Sequence, residues 1–421
     1  VIAHNGRSFA LINLYNKIFR KRNFKTAAIS HGGNPKRLVN FDTNQNYPRH
    51  SWFDIKEGYA TDLVKNVLLD LKIKKQDGYI MDPFSGSGTS VLASSILGYQ
   101  SIGIEVNPFL YFLSKIKCVK YSNKFNLLLT NFKKLDIKKQ SLSEVPKLSI
   151  STKLFKKQLN EILRIKNWIN QIKDKNCKEL FFCAYLCSLD TASFAKKDGN
   201  GLKYPKNKIP LRFKDVFVST LEKFIEDTKK VKIDKKPLIF QGNNLQILSQ
   251  RSFEKKYKNK ISLCVFSPPY ANCFDYTEVY KTELWFGDFV KEYKDLRNLR
   301  NKTLSSHLNK KFSDVKILKE IIPYIDKIKT KKLWSKKIID MLINYFYEMD
   351  VLLSKLNTLI RKNGKCVIVV GNSSYGNVVI PTDEILKKLA RKNGFKNNYI
   401  IQARKLGTSS QQYKKIDNLN M

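Results

Sequence analysis

One stretch of this 421-residue chain restricts its fold more than any other. Tyr79-Ile80-Met81 is a short apolar run, followed by Asp82-Pro83-Phe84-Ser85-Gly86-Ser87-Gly88-Thr89-Ser90. A helical segment then reaches about Leu97, and Ser101-Ile102-Gly103-Ile104-Glu105 reads as a second strand. This is a β–loop–α–β unit, the building block of an α/β protein. The loop glycines let backbone approach a ligand closely, and the helix start offers free N–H donors. Glu105 ends the second strand, where a carboxylate is placed to hold a pair of ribose hydroxyls.

A second stretch has the same logic. Ile261-Ser262-Leu263-Cys264-Val265-Phe266 reads as a buried parallel strand. Ser267-Pro268-Pro269-Tyr270 follows. Two prolines cannot continue a sheet ladder, so the strand stops at Ser267. A polar side chain, a rigid double proline and an aromatic ring are left at the strand's carboxyl end, where open α/β sheets bind ligands. Taken alone, the tetrapeptide reads equally well as a turn with a packing tyrosine.

Three cofactor loops compete for residues 82–89. A Walker A loop requires Lys where Thr89 stands, and a dinucleotide fingerprint requires G-x-G-x-x-G where only Gly86-x-Gly88 is present. The third is an S-adenosylmethionine loop. Asp82-Pro83-Phe84-x-Gly86-Ser87-Gly88-Thr89 together with Ser267-Pro268-Pro269-Tyr270 resembles the DNA amino-methyltransferases, which methylate N4 of cytosine or N6 of adenine.

The resemblance implies a Rossmann-like S-adenosylmethionine-dependent methyltransferase fold with mainly helical insertions. It implies S-adenosyl-L-methionine as cofactor, and double-stranded DNA and a cognate restriction endonuclease as partners. Asp82, Phe84, Ser85, Gly86, Gly88 and Thr89 would face the methionine part of the cofactor, and Glu105 its ribose. Asn243 or Asn244 would meet the adenine ring. Phe53 and residues 56–59 resemble the segment that closes over the cofactor, with Tyr59 as its contact, although Phe53 and Tyr59 also suit a core. Ser267, Pro268, Pro269 and Tyr270 would be catalytic. Ser267 and a proline carbonyl would accept hydrogen bonds from the amine of a flipped base, and Tyr270 would stack on that base. C5-cytosine chemistry needs a cysteine after proline, and no proline here precedes Cys. Serine at the head of the tetrapeptide favours N4-cytosine over N6-adenine. An RNA guanine-N2 methyltransferase is the alternative substrate reading, and a non-catalytic nucleic-acid-binding protein on the same fold is the non-enzymatic one.

The formal charge of +42 suits a polyanionic partner. AT-rich coding explains the same excess of Lys, Asn, Ile, Phe and Tyr, so the charge alone is weak support. Seven scattered cysteines without a CxxC pair, and four distant histidines, argue against structural zinc, any other metal site and a disulfide framework. No apolar run is long enough for a membrane span. Val1 to Phe24 has no continuous apolar signal core, so a cytoplasmic protein is expected.

In chain order the expectation is a basic amino-terminal arm over 1–50, with a turn cluster at His31-Gly32-Gly33-Asn34-Pro35. The cofactor half of the core follows over 51–119, with Thr61 capping a helix. A helical insertion over 120–235 is the first candidate for target recognition. It carries a polar loop, residues 194–205, whose Lys196, Lys197, Lys203 and Tyr204 could track a phosphate backbone. The core with the catalytic motif spans 236–284. A basic helical insertion over 285–335, with Arg297 and Arg300, is the second recognition candidate. The core ends over 336–421, with a long helix closed by Asn363-Gly364.

Overall fold

The computed structural model describes residues 8–16, 35–121, 124–199 and 201–406. The turn cluster at His31 to Asn34 lies outside the described residues, as does Asn200 of the polar loop. Seven strands form one sheet: β1 Ser8–Asn16, β2 Tyr79–Asp82, β3 Ser101–Glu105, β4 Leu238–Gln241, β5 Ile261–Phe266, β6 Ile360–Gly371 and β7 Lys396–Leu406. Their order is β7-β1-β6-β5-β2-β3-β4, and every pairing is parallel. The chain winds one way from β2 through β3 to β4, then restarts on the other side of β2 with β5. The carboxyl ends of β2 and β5 therefore flank a topological switch point, where a crevice opens in folds of this kind.

The apolar runs become strands because both sheet faces are covered. Along β5, Leu263 and Val265 face one cluster with Leu63, Val64 and Leu68 of the Thr61–Asp70 helix. Cys264 and Phe266 face the other, with Leu352, Leu353 and Leu356 of the Lys337–Leu359 helix. Every residue of β5 is buried, and full burial of one such side chain is worth roughly 1.5–3 kcal/mol.

Three local expectations are corrected. Residues 8–16 are not an arm but an interior strand between β6 and β7. The apolar run Phe9-Ala10-Leu11-Ile12 suits that position better than the surrounding charge suggests. Thr61 is the first helical residue, not the cap; its N–H donates to Asn44 Oδ1 at 2.7 Å. Asn363-Gly364 does not close the long helix, which ends at Leu359 with Ile360 already extended and paired to Ile261. Asn363, at φ 65°, and Gly364 instead lie where the β5–β6 register shifts. A Cβ at Gly364 would lie 2.9 Å from the Ile261 carbonyl oxygen.

The two recognition candidates are not separate bodies. Phe181, Tyr185 and Leu189 of the Lys175–Ala192 helix and Phe217, Leu221 and Phe224 of the Phe213–Lys230 helix share one apolar cluster with Tyr280, Leu284, Trp285, Phe286 and Leu296. This cluster also takes in Trp52 and Phe53. Trp52 stacks on Phe224 with centroids 4.0 Å apart. Asp227 accepts hydrogen bonds from the Trp52 indole and the Arg49 backbone N–H, both at 2.9 Å. Among the described residues no helix is long and apolar enough to cross a membrane.

Candidate active site

The loop after β2 is built around two buried carboxylates. Asp82 accepts the Phe84 N–H and the Tyr59 hydroxyl, each at 2.9 Å. Tyr59 also bonds Ser90, so the 53–59 segment is tied to the loop. Burial pushes the Asp82 carboxyl up to about 6, against the lowering effect of these bonds. Gly88 has φ +87°, and a Cβ there would lie 2.4 Å from Ser114 Oγ. Only glycine lets the loop lie this close to the Pro108–Lys117 helix.

Glu105 accepts the Gly86 N–H at 2.7 Å on one oxygen and the Asn107 N–H at 2.8 Å on the other. Burial pushes its carboxyl up to about 7. A carboxylate has about four acceptor positions. These two backbone groups, with a weaker contribution from the Val106 N–H, leave acceptor capacity that a diol can use. Beyond β4, Asn244 donates to the Pro83 carbonyl at 3.2 Å, and Asn243 bridges the Lys302 carbonyl at 2.7 Å and the Gln246 N–H at 2.9 Å.

Across the crevice, the Ser267 hydroxyl donates to the Val369 carbonyl of β6 at 3.0 Å. Its one proton is thereby directed away from the cavity. Ser267 and Pro269 line a cavity, partly open to solvent, together with residues 82–87, 104–107 and 242–244. Glu105, Asp82, Phe84, Ser85, Gly86, Thr89, Asn243, Asn244 and Tyr59 all line it. The two motifs, 185 positions apart from Asp82 to Ser267, thus meet in one cavity.

Tyr270 is placed differently from the expectation. It is buried, packed with Tyr59, Leu63, Val265 and Val369, and does not line the cavity. Cys273 adopts φ 64° and turns the chain, and beyond it the Tyr276 and Tyr280 rings, 6.4 Å apart, line the cavity. Asp275 accepts the Thr277 N–H and hydroxyl at 2.9 and 2.7 Å, Asn309 at 2.9 Å and the Arg300 guanidinium at 3.1 Å. Burial raises its carboxyl, but His307, Asn309, Thr277 and Arg300 outweigh that and hold it below the usual range. This network fixes the 302–307 wall of the cavity. Nothing in the sequence reading assigned Asp275, Tyr276 or His307, although an acid and an aromatic just beyond the tetrapeptide were visible.

The basic candidates divide. Residues 196–198 and 201–203 form a hairpin, so alternate side chains face opposite ways. Lys196 and Lys203 are exposed, the latter paired with Asp198. Lys197 is buried, paired with Glu283, and lies 4.4 Å over the Phe53 ring. It is not available to a phosphate. Tyr204 sits half-buried under the Lys153 ammonium at 4.4 Å. Arg297 is exposed. Arg300 is mostly buried and committed to Asp275 and Glu278, so it too is not a free phosphate contact. Among the described residues no group of three or more His, Cys, Asp or Glu side chains could hold a metal.

No protein-family model matches the chain. The chain is 26% identical over 442 residues to the Type II methyltransferase M.BsoBI of Geobacillus stearothermophilus, covering 90% of this chain and 84% of that protein. It is 26% identical over 445 residues to the Type II methyltransferase M.AvaI of Nostoc sp., covering 95% and 90%. It is 21% identical over 362 residues to the Type II methyltransferase M.MvaI of Kocuria varians, covering 77% and 76%. Similarity of this extent, together with the central parallel sheet, supports a methyltransferase with a Rossmann-like core.

Proposed function

We propose that this chain is the DNA methyltransferase of a restriction–modification system. It transfers a methyl group from S-adenosylmethionine to the exocyclic amine of a flipped base in double-stranded DNA, N4 of cytosine in preference to N6 of adenine. The observation that carries the reading is the meeting of the glycine loop with Ser267 and Pro269 in one cavity at the switch point. The similarity to Type II methyltransferases over most of the chain supports it.

The cavity residues fit the cofactor. Glu105 keeps acceptor capacity for ribose hydroxyls, Asp82 to Ser87 and Thr89 line the loop side, and Asn243 and Asn244 close the far end. When bound, S-adenosylmethionine supplies an electrophilic methyl on a sulfonium. The chain's own task is to present the amine. Ser267 Oγ, whose proton goes to Val369, faces the cavity as an acceptor for an amine N–H. The rigid Pro268-Pro269 pair holds a carbonyl beside it as a second acceptor. Both bonds strengthen as the nitrogen becomes positive, which is the charge the site must stabilise. Tyr276 takes the stacking role first given to Tyr270, and Tyr270 supports the strand end from the core. The preference for cytosine rests on the neutral hydroxyl of Ser267.

The test is incubation of the protein with methyl-tritiated S-adenosylmethionine and DNA of varied sequence, followed by digestion to nucleosides. Label in N4-methylcytosine is expected. Label in N6-methyladenine overturns the choice of base. Label in tRNA and none in duplex DNA favours the RNA enzyme. No label from protein that binds the cofactor in a calorimeter overturns the enzyme reading, and no cofactor binding revives the non-catalytic one.

A further inference from the structure

The cations singled out for nucleic acid are largely committed elsewhere: Lys197 to Glu283, Arg300 to Asp275 and Glu278, Lys203 to Asp198. A different stretch is not. Between the Ile322–Lys329 and Lys337–Leu359 helices the chain runs Thr330-Lys331-Lys332-Leu333-Trp334-Ser335-Lys336. Residues 327–337 contain six lysines and no carboxylate. Among the described residues no carboxylate is within ion-pair distance of Lys331, Lys332, Lys336 or Lys337. In their midst Trp334 is 72% exposed, whereas Trp52 and Trp285 are 3% and 1% exposed. An indole left in water between unpaired cations is an unusual surface.

The loop stands beside the catalytic motif. After β6 the chain forms a hairpin of Ser373–Tyr375 and Val378–Ile380. The Tyr375 hydroxyl donates to the carbonyl of Ala271, next to Tyr270, at 2.7 Å. Gly376, at φ +55°, lies against the loop: a Cβ there would be 2.6 Å from Lys331 Cβ and 3.4 Å from Leu333 Cδ2. Leu333 packs on the core and anchors the loop, which leaves Trp334 outside.

We infer that Trp334 with Lys331, Lys332, Lys336 and Lys337 is a nucleic-acid contact, in which the lysines neutralise phosphates and the indole stacks on a base face exposed when the target base is flipped. This rests on the DNA-methyltransferase reading. An apolar protein partner is disfavoured, because it would bury uncompensated ammonium groups. A polyanion meets both the charge and the ring.

The test uses the full chain and a fluorescein-labelled duplex that carries the site methylated by the native chain. Trp334→Ala should weaken duplex binding about 5- to 150-fold, the range that base–aromatic stacking gives, and Trp334→Phe should restore most of it. Lys331→Gln with Lys332→Gln should reduce the slope of log affinity against log salt by about 1.8. Duplex should quench the intrinsic tryptophan emission of the native chain and far less that of Trp334→Phe. Cofactor affinity, measured by calorimetry, should stay unchanged in all variants and so reports folding. Unchanged duplex affinity and quenching in the variants overturns the inference and leaves the methyltransferase reading standing. A change in self-association by sedimentation without a change in duplex binding overturns it in favour of a contact between copies. Absence of methyl transfer by the native chain to any DNA overturns the enzyme reading independently of Trp334.

Discussion

Replacing Glu105 with Gln interrogates the cofactor end of the cavity through one side chain. In the native protein burial pushes this carboxyl up to about 7, even though Gly86 and Asn107 donate to it. Ribose hydroxyls would donate to the ionised form, so binding below that pKa must release a proton. Affinity for S-adenosylmethionine should therefore be flat above pH 7 and fall as pH drops through 7, by up to about tenfold per unit. Glutamine does not titrate, so its slope should vanish. Its amide also turns an NH₂ toward Gly86 or Asn107, both donors, and weakens the acceptor left for the diol. A hydrogen bond to a charged group is worth about 1.5–3 kcal/mol. The variant should therefore bind about 10- to 150-fold more weakly at high pH. Isothermal titration of native and variant proteins across neutral pH measures both effects. Native affinity that is flat through pH 7, or a variant that binds like the native chain, refutes the assignment of Glu105 to the cofactor diol.

The same carboxyls set the stability of the cofactor-free protein. Asp82 and Glu105 are held near 6 and 7 when folded and would ionise near 4 when unfolded. Their folded forms keep a proton that the unfolded chain has lost, so stability falls as pH rises from about 4 through 7, by about 3 kcal/mol for each group; thermal melts should show this loss, and added cofactor should reverse part of it above pH 7. Ser267→Ala should lower turnover about 100- to 1,000-fold, the usual effect of removing one fixed hydrogen bond to developing charge, with cofactor affinity intact; turnover within a few-fold of native excludes the role. Lys197→Met should destabilise the fold by about 3–5 kcal/mol in urea titration, because Glu283 is left buried without its partner. Adding Glu283→Leu should recover part of that loss, and no recovery would show that the pair itself is not the cause.

Strands β2, β3 and β5 and both motif loops were legible because buried parallel strands read as continuous apolar runs and proline and glycine mark their ends. Strand β1 was not, because its partners lie far away in the chain, Ser8 opposite Lys396 and Lys365, and Asn13 and Asn16 interrupt its apolar positions. Lys197 was misjudged because the 194–205 stretch reads as a loop, whereas residues 196–198 and 201–203 pair as a hairpin that turns alternate side chains inward. Tyr276 went unassigned because the left-handed backbone at Cys273 brings it, rather than Tyr270, to the cavity. A non-glycine residue in that region is held by tertiary packing, and propensity does not forecast it.

Asp227 receives both the Arg49 backbone and the Trp52 indole, while Trp52 lies flat on Phe224. The stretch that leads into the cavity-lining residues 55–59 is thus moored to the last helix of the insertion, across nearly 180 positions of sequence. The insertion is not an interchangeable cassette. A chimera that replaces residues 120–235 with those of a relative would take away the moorings of Arg49 and Trp52, and would lose cofactor binding before any question of sequence specificity arose. A working exchange of the insertion is expected to need residues 47–59 carried along with it, and the two stretches are expected to have diversified together.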